Sequence, residues 1–486
     1  MSIIRRVAKN TSSLLVSQII SYIFVFFSTM YTARYLGAGG YGILSTGIAV
    51  TSIFAVIGDL GLGSLTVREV ARNKSLANKY VVNTALMKVI LSIVMVVLIV
   101  LTTEIINYSP KINSVIYILT VSVIFNTFSG VFGSIFQANE KMEYASIAGI
   151  LSSILTFIGF LMAIYFNLNV LEFAFVYLIV SIINFIYVMS VFIWKFFLPQ
   201  IDIDWSFWNP QIKVDWNFWK PVLMQALPLS IAVIFSVIIF KVDTILLSVI
   251  KGSVVVGWYT VAYNILQALF IVPTAFATSI FPLLSTFHVS SKESLQLTYQ
   301  KSFKYLIILG IPLAVGITLL ADKLILLVYT QEFIPSIIAL KILVWTVPFI
   351  FLTIMFGVVL TSINRQNLLM KILFIVMIFN IILNWIVIPQ FSYIGSAVVT
   401  VLSEMVTFIL CLNYLSNYVC KFNFSGMILK TSIASGIMGL FIIYASLNMF
   451  LVIVIAVVIY FVVLILLNTF SKDEINLFKQ IFEAKK

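Results

Sequence analysis

The sequence predicts an all-α polytopic membrane protein of about fourteen transmembrane helices, and three observations lead there. Of the 486 residues 62% are hydrophobic and 9% are charged, with a mean hydropathy of +1.15, whereas a soluble domain carries about 25% charged residues. Apolar runs of roughly 20 residues recur along the chain, the length a helix needs to cross about 30 Å of hydrocarbon. Outer-membrane strands would instead alternate over about ten residues. The third observation is the distribution of Lys and Arg, which alternates between loops as the positive-inside rule requires.

In order, the first six spans are expected at 12–33, 42–62, 81–103, 114–137, 145–166 and 170–193. Arg5, Arg6 and Lys9 precede the first, whose apolar run from Leu14 to Tyr31 is longer than a signal-peptide core, so it is expected to be retained. Eight more follow at 222–249, 257–284, 304–321, 340–362, 368–388, 393–415, 429–447 and 450–469. The even number puts both termini on one side. With the termini in the cytoplasm, inner segments hold 22 of the 29 basic residues; outer ones hold Arg34, Lys111, Lys251, Lys323 and Lys341, and two lie within spans. The net charge of +12 therefore reads as topology and contact with anionic membrane lipids, not as nucleic-acid binding.

Residues 194–221 form a linker that divides the chain. Within it Ile203-Asp204-Trp205-Ser206-Phe207-Trp208-Asn209-Pro210 recurs as Val214-Asp215-Trp216-Asn217-Phe218-Trp219-Lys220-Pro221. Trp at i and i+3 gives each copy an aromatic edge suited to the headgroup zone, so two short interfacial segments are expected, each stopped by its proline. A solvated loop is the alternative. A stacking surface for nucleic acid is disfavoured because Asp202, Asp204 and Asp215 offset Lys195, Lys213 and Lys220.

The two sides of the linker repeat one another. GAGGYGILST at 37–46 lines up with GSVVVGWYTV at 252–261, matching Gly37 to Gly252 and Gly42 to Gly257 in the first outer loop of each half. The expected organisation is a six-helix half (1–193), the cytoplasmic linker (194–221), a parallel six-helix half (222–415), and an added helix pair with a cytoplasmic tail (416–486).

No nucleophile, metal constellation or phosphate-cradling glycine loop is present, so no enzyme, metal or cofactor is expected. Cys411 and Cys420 suggest neither a disulfide framework nor a metal site, and His288 is expected in a loop. Charges inside spans are costly enough to be functional candidates. Glu404 lies about 16 Å into its span, near the midplane, on a face shared with Ser396, Thr400, Thr407 and Cys411. It is either a coupling-ion or proton site or a carboxyl bonded between helices. Lys241 and Asp243 are about 200° apart around one helix and cannot enter one cavity together. Asp59 and Lys88 reach similar depth and are expected to pair, as a clamp or inner gate. Arg34 and Lys341 either bind an anion or snorkel to headgroups, and Arg68, Glu69 and Arg72 form a solvated face. Polar stripes at Ser17, Ser21, Ser28 and Thr32, and at Asn126, Gly130, Gly133 and Gln137, point to close helix packing or a hydrated passage.

LGAGGYG at 36–42, GDLGLG at 58–63, VREVAR at 67–72 and FQANEKMEY at 136–144 carry a family resemblance. So do FKVDTILLS at 240–248, GWYTVAY at 257–263, IFPLLS at 280–285 and NWIVIPQFSYIGSAVVTVLSE at 384–404. In this order they resemble the polysaccharide-export flippases of the multidrug, oligosaccharidyl-lipid and polysaccharide exporter superfamily, across essentially all fourteen spans. The doubled aromatic segment departs from the family's single amphipathic stretch. The resemblance implies a plasma-membrane flippase that carries polyprenyl-(pyro)phosphate-linked oligosaccharide by alternating access, working beside other glycan-assembly proteins. It implies Arg34, Lys88 and Lys241 as pyrophosphate-binding candidates, and Asp59, Asp243 and Glu404 as coupling-ion or gate candidates. Asp243 matches an aspartate the family commonly carries, and the last two spans would form a groove for the lipid tail. The alternatives are an ion-coupled multidrug exporter of the same superfamily and a membrane glycosyltransferase or polymerase; Lys within spans disfavours the first, and short outer loops the second.

Overall fold

Fifteen α-helices and no strand make up the residues that the structure, a computed structural model, describes: 3–197, 216–418, 424–470 and 474. The first copy of the linker repeat and Cys420 lie outside the described residues. In chain order the helices are α1 (Ile3–Asp59), α2 (Leu62–Arg72), α3 (Ala77–Ile106), α4 (Pro110–Ala138), α5 (Met142–Tyr165) and α6 (Val170–Phe192). Next come α7 (Trp216–Ile250), α8 (Ser253–Leu269), α9 (Ile271–Ser290), α10 (Lys292–Val328), α11 (Ser336–Leu343) and α12 (Thr346–Ser362). The last are α13 (Gln366–Tyr418), α14 (Ser425–Tyr444) and α15 (Met449–Leu466).

Among the described residues eleven helical stretches are long and apolar enough to cross a membrane, and α11 with α12, bent by 45°, make a twelfth. Two of these are too long for one crossing. The 57 residues of α1 would measure about 85 Å at 1.5 Å per residue, against about 30 Å of hydrocarbon. The helix is broken at Gly37, where φ is 68°, and α13 is broken at Ser392, where φ is 53°. Dividing both raises twelve to the fourteen spans expected. The loops differ from expectation: each of these two turns takes a single non-helical residue, where the sequence suggests several. Large apolar side chains such as Ile105, Leu440 and Leu466 are exposed on the helices, as a lipid-facing surface requires.

By packing, the chain forms two units, one of Met1–Asn264 with Leu373–Ser396, the other of Ile265–Ile372 with Ala397–Lys486. In the first unit, α1, α4, α5 and α6 form a bundle with α3 alongside, and α7 packs on α1 and α2. The glycines matched between the two sequence repeats meet here. A Cβ on Gly42 would lie 1.7 Å from Ser253 O, and one on Gly257 would lie 2.1 Å from Ala38 O. Ala38 stands to Gly42 as Ser253 stands to Gly257, so the contact is reciprocal, and only glycine permits the approach on either side. The preceding glycine of each repeat also has positive φ, 68° at Gly37 and 85° at Gly252.

Three local expectations are corrected. Pro221 does not end a helix: α7 starts at Trp216 and continues through Pro221 and Pro228. One lost backbone bond near the helix start is offset by burial of Trp219 and Val222. Within the second aromatic copy the indole of Trp219 does not form an exposed edge. Trp219 is buried with its Nε1 donating to Asn83 Oδ1 (2.8 Å), and Phe218 packs edge-on to Tyr80 at 5.0 Å. His288 lies in the last turn of α9, exposed, and not in a loop.

In the second unit, α10 packs against α12 and α14, and α14 against α15. The added pair is held to α10 by Met438, Val452 and Tyr460 beside Ile308, with Tyr460 OH donating to Ile308 O (2.6 Å). Beyond α15 the chain is tied back: Lys304 Nζ pairs with Glu474 Oε2 at 2.6 Å, and Tyr305 OH donates to Glu474 Oε1.

Candidate functional site

Asp59 and Lys88 are joined, as their depth in the sequence suggests. Lys88, 1% exposed on α3, places Nζ 2.7 Å from Asp59 Oδ1 at the end of α1 and donates to Thr127 O on α4 (3.1 Å). A buried ammonium requires such partners, because a lone charge in a low-dielectric interior is expensive. The Asp59 side chain is 40% exposed, so the pair has one dry end and one wet end. Gly130 lies beside Lys88; a Cβ there would stand 3.5 Å from Nζ, in ordinary van der Waals contact.

Asp243, 1% exposed on α7, is enclosed by donors. Oδ1 accepts from Thr244 N (2.6 Å) and Thr244 Oγ1 (3.3 Å), and Oδ2 accepts from the phenol of Tyr259 on α8. Lys241 is half-buried two residues away on α7, and its ammonium acts on the Asp243 carboxyl electrostatically.

In the second unit, Glu404 on α13 is 7% exposed and accepts from Thr353 Oγ1 of α12 at 3.2 Å. The stripe expected around it is buried throughout, from Ser396 and Thr400 to Thr407 and Cys411. Arg34 is exposed on α1 just before the Gly37 break. Lys341, read as an anion ligand or a snorkelling residue, pairs with Asp322 at 2.7 Å. Arg68 and Arg72 both reach Glu69 on the exposed face of α2, and Arg68 also donates to Gln225 (2.7 Å). Of the six candidates, then, the structure joins two in an ion pair and buries Asp243 and Glu404 in separate clusters.

A feature the sequence did not single out lies within the first unit. Between α1, α4, α5 and α6 is a cleft of about 210 Å³ lined by Ser28, Ser122, Asn126, Ser152, Thr156 and Ser181 among others, with no carboxylate or basic side chain in its wall. Its signal was present but faint: Ser122 with Asn126, and Ser152 with Thr156, are i,i+4 pairs on α4 and α5. Only the Ser28 and Asn126 stripes stand out from the sequence, and packing is the ordinary meaning of such stripes.

A family model described as "Polysaccharide biosynthesis protein" matches residues 7–288, more than half of the chain. The chain belongs to this polysaccharide biosynthesis protein family. A second model, MatE, matches residues 228–386. The resemblance read from the motifs is thereby borne out. Among curated relatives, this family member is 29% identical over 172 residues to the "Probable low-salt glycan biosynthesis flippase Agl15" of Haloferax volcanii, covering 35% of this chain and 36% of the relative. The match thus spans about a third of that protein's length. Among solved structures, the fold is similar to that of lipid II flippase MurJ in an inward closed conformation, with a TM-score of 0.73, 16% identity, and coverage of 93% of this chain and 97% of the other. It is also similar to an inward-facing multidrug resistance MATE family transporter of the MOP superfamily, with a TM-score of 0.66, 16% identity, and coverage of 82% and 95%. At such identity these two likenesses bear on the fold.

Proposed function

We propose that the protein is a flippase that moves polyprenyl-(pyro)phosphate-linked oligosaccharide across the plasma membrane by alternating access. The family match over residues 7–288 carries this reading, and the flippase names of similar proteins agree with it. The physical need is plain: a glycan and a pyrophosphate cannot cross hydrocarbon unsheltered, whereas the lipid tail can remain in it. Both termini and the linker face the cytoplasm, as the 22 to 5 division of basic residues favours. The two parallel repeats rock against each other, and the reciprocal Gly42 and Gly257 crossing is consistent with a two-fold relation between them. The protein forms no covalent intermediate and acts as a carrier.

Arg34, exposed, and Lys241, half-buried, are candidates for the pyrophosphate, and Lys88 becomes one when its pair with Asp59 opens. Glu404 is the candidate for an ion that biases the cycle, with Asp243 and Asp59 as gate residues. The MatE match favours a second reading, export of an organic cation. A cation carrier needs carboxylates or aromatics along its path; the polar cleft of the first unit has no carboxylate in its wall, and Tyr177 is the aromatic that lines it.

The test uses purified protein in liposomes with a labelled polyprenyl-pyrophosphate-linked oligosaccharide, and follows the access of an impermeant glycan-modifying reagent to inner-leaflet lipid. Access well above that of protein-free liposomes is expected, and it is lost in Glu404→Gln. No gain with any glycan lipid, together with extrusion of a cationic dye by the same preparation, would establish the drug exporter instead.

A further inference from the structure

We propose that the cleft between α1, α4, α5 and α6 is an uncharged saccharide subsite, which takes one neutral sugar ring through hydrogen bonds from sugar hydroxyls to serine and threonine oxygens. The chemistry of the lining selects this ligand class. Five lining hydroxyls already donate to helix carbonyls: Thr29 to Phe26 O, Ser122 to Tyr177 O, Ser153 to Gly149 O, Thr156 to Ser152 O and Ser181 to Leu178 O, at 2.7–3.2 Å. Four of these bonds run back along their own helix and that of Ser122 crosses from α4 to α6; each uses the hydroxyl's proton and leaves its lone pairs available. The cleft is therefore rich in acceptors, and it calls for a ligand that brings donors.

A second observation shows that the site is unsatisfied as it stands. Ser28 Oγ lines the cleft in a side chain 3% exposed and has no hydrogen-bond partner. One turn further along α1, Thr32 Oγ1 is in the same state, and so is Asn184 Oδ1, one turn beyond Ser181 on α6. Of these three only Ser28 lies in the cleft wall, and its unpaired buried hydroxyl is what calls for a partner there, since buried polar groups are ordinarily paired.

Charge and size narrow the ligand. A phosphate or pyrophosphate only accepts hydrogen bonds, and five of the lining hydroxyls have already spent their proton. A cation would carry its charge into a wall without a carboxylate, in a low-dielectric bundle. A sugar hydroxyl brings a donor and no charge, and Asn126 can both donate and accept. The volume of about 210 Å³ corresponds to about seven waters at ~30 Å³ each, smaller than the ~300 Å³ at which drug pockets begin. That suits a single ring, with the rest of a glycan outside.

The identity of the sugar as part of a translocated glycan rests on the flippase reading; the binding itself does not. The experiment places the full chain in nanodiscs and records saturation-transfer NMR on free neutral disaccharides: maltose, cellobiose, lactose and diacetylchitobiose. The Asn126→Leu and Thr156→Val variants, both apolar and near in volume, are compared with the unmodified protein, and melting curves confirm that they fold. At least one sugar is expected to receive saturation, with affinity reduced about tenfold when both substitutions are combined. No transfer to any of the four sugars, or transfer unchanged in the double variant, overturns the proposal. A melting shift with NaCl that the same substitutions abolish, without sugar transfer, assigns the cleft to a monovalent cation and also overturns it. The flipping assay separates the two readings. Sugar binding lost in the variants while the unmodified protein moves no glycan lipid retains the subsite and removes the flippase; normal flipping without sugar binding does the reverse.

Discussion

Asp243 and Glu404 are both carboxylates buried within membrane spans, yet their surroundings differ in kind. Asp243 accepts from a backbone N–H, a threonine hydroxyl and a tyrosine hydroxyl, whereas Glu404 accepts from Thr353. A carboxyl whose two oxygens both accept from donors ties two helices together; one with a single neutral donor keeps acceptor capacity for a proton or an ion. On the proposed mechanism, the contrast separates a carboxyl that holds the fold from one that changes state during the cycle. It also revises the weight of the two in the proposed mechanism, toward Glu404 for coupling and toward Asp243 for holding α7 to α8.

The largest effect on stability is therefore expected at Asp243. Asp243→Ala removes the acceptor for Tyr259 and Thr244 and leaves buried donors unpaired, at a cost of about 4 kcal/mol. Thermal melting in detergent should show a large fall, and the protein should be poorly recovered. A melting point unchanged by this substitution would break the comparison, because it would make Asp243 a solvated residue of the transport path. Tyr259→Phe removes one of the donors and is expected to cost about 2 kcal/mol by the same measurement.

Glu404→Gln has the opposite profile. The amide oxygen still accepts from Thr353, so stability should change by less than about 1 kcal/mol, while the flipping rate falls at least about tenfold. A fall in stability matching that of Asp243→Ala, with the residual protein flipping normally, would place both carboxylates in the structural class.

Part of this was legible before the fold was known. The depth of Glu404 and its stripe of Ser396, Thr400, Thr407 and Cys411 follow from helical spacing, and the pairing of Asp59 with Lys88 follows from depth, because a buried ammonium must find an anion. Gly37, Gly42, Gly252 and Gly257 were visible as a repeat, though not as a backbone contact. The donors on Asp243 were not legible, since Tyr259 belongs to another helix and tyrosine in a span ordinarily reads as packing or as a belt residue. Trp219 was misread for the related reason that an indole serves a headgroup zone and a wet core position equally well; Asn83, which decides between them, is far away in sequence. The cleft escaped because its hydroxyls are spread over four helices, at most three to each, and a serine or threonine alone in a span ordinarily reads as a back-bonded or packing residue.

The smallest effect, and the sharpest form of the comparison, is Thr353→Val. It preserves volume and removes the hydroxyl that Glu404 accepts from. If Glu404 holds the fold, losing this bond should cost about 1 kcal/mol and leave transport alone. If Glu404 changes state, the hydroxyl stabilises its anionic form, and its removal shifts the balance of states: stability is almost unaffected, while the flipping rate at neutral pH departs from that of the unmodified protein by about fivefold. Combining Thr353→Val with Glu404→Gln then decides the matter. If the hydroxyl works through the carboxylate, the double variant flips no more slowly than Glu404→Gln alone; independent, multiplicative losses would show that Thr353 acts elsewhere in the cycle.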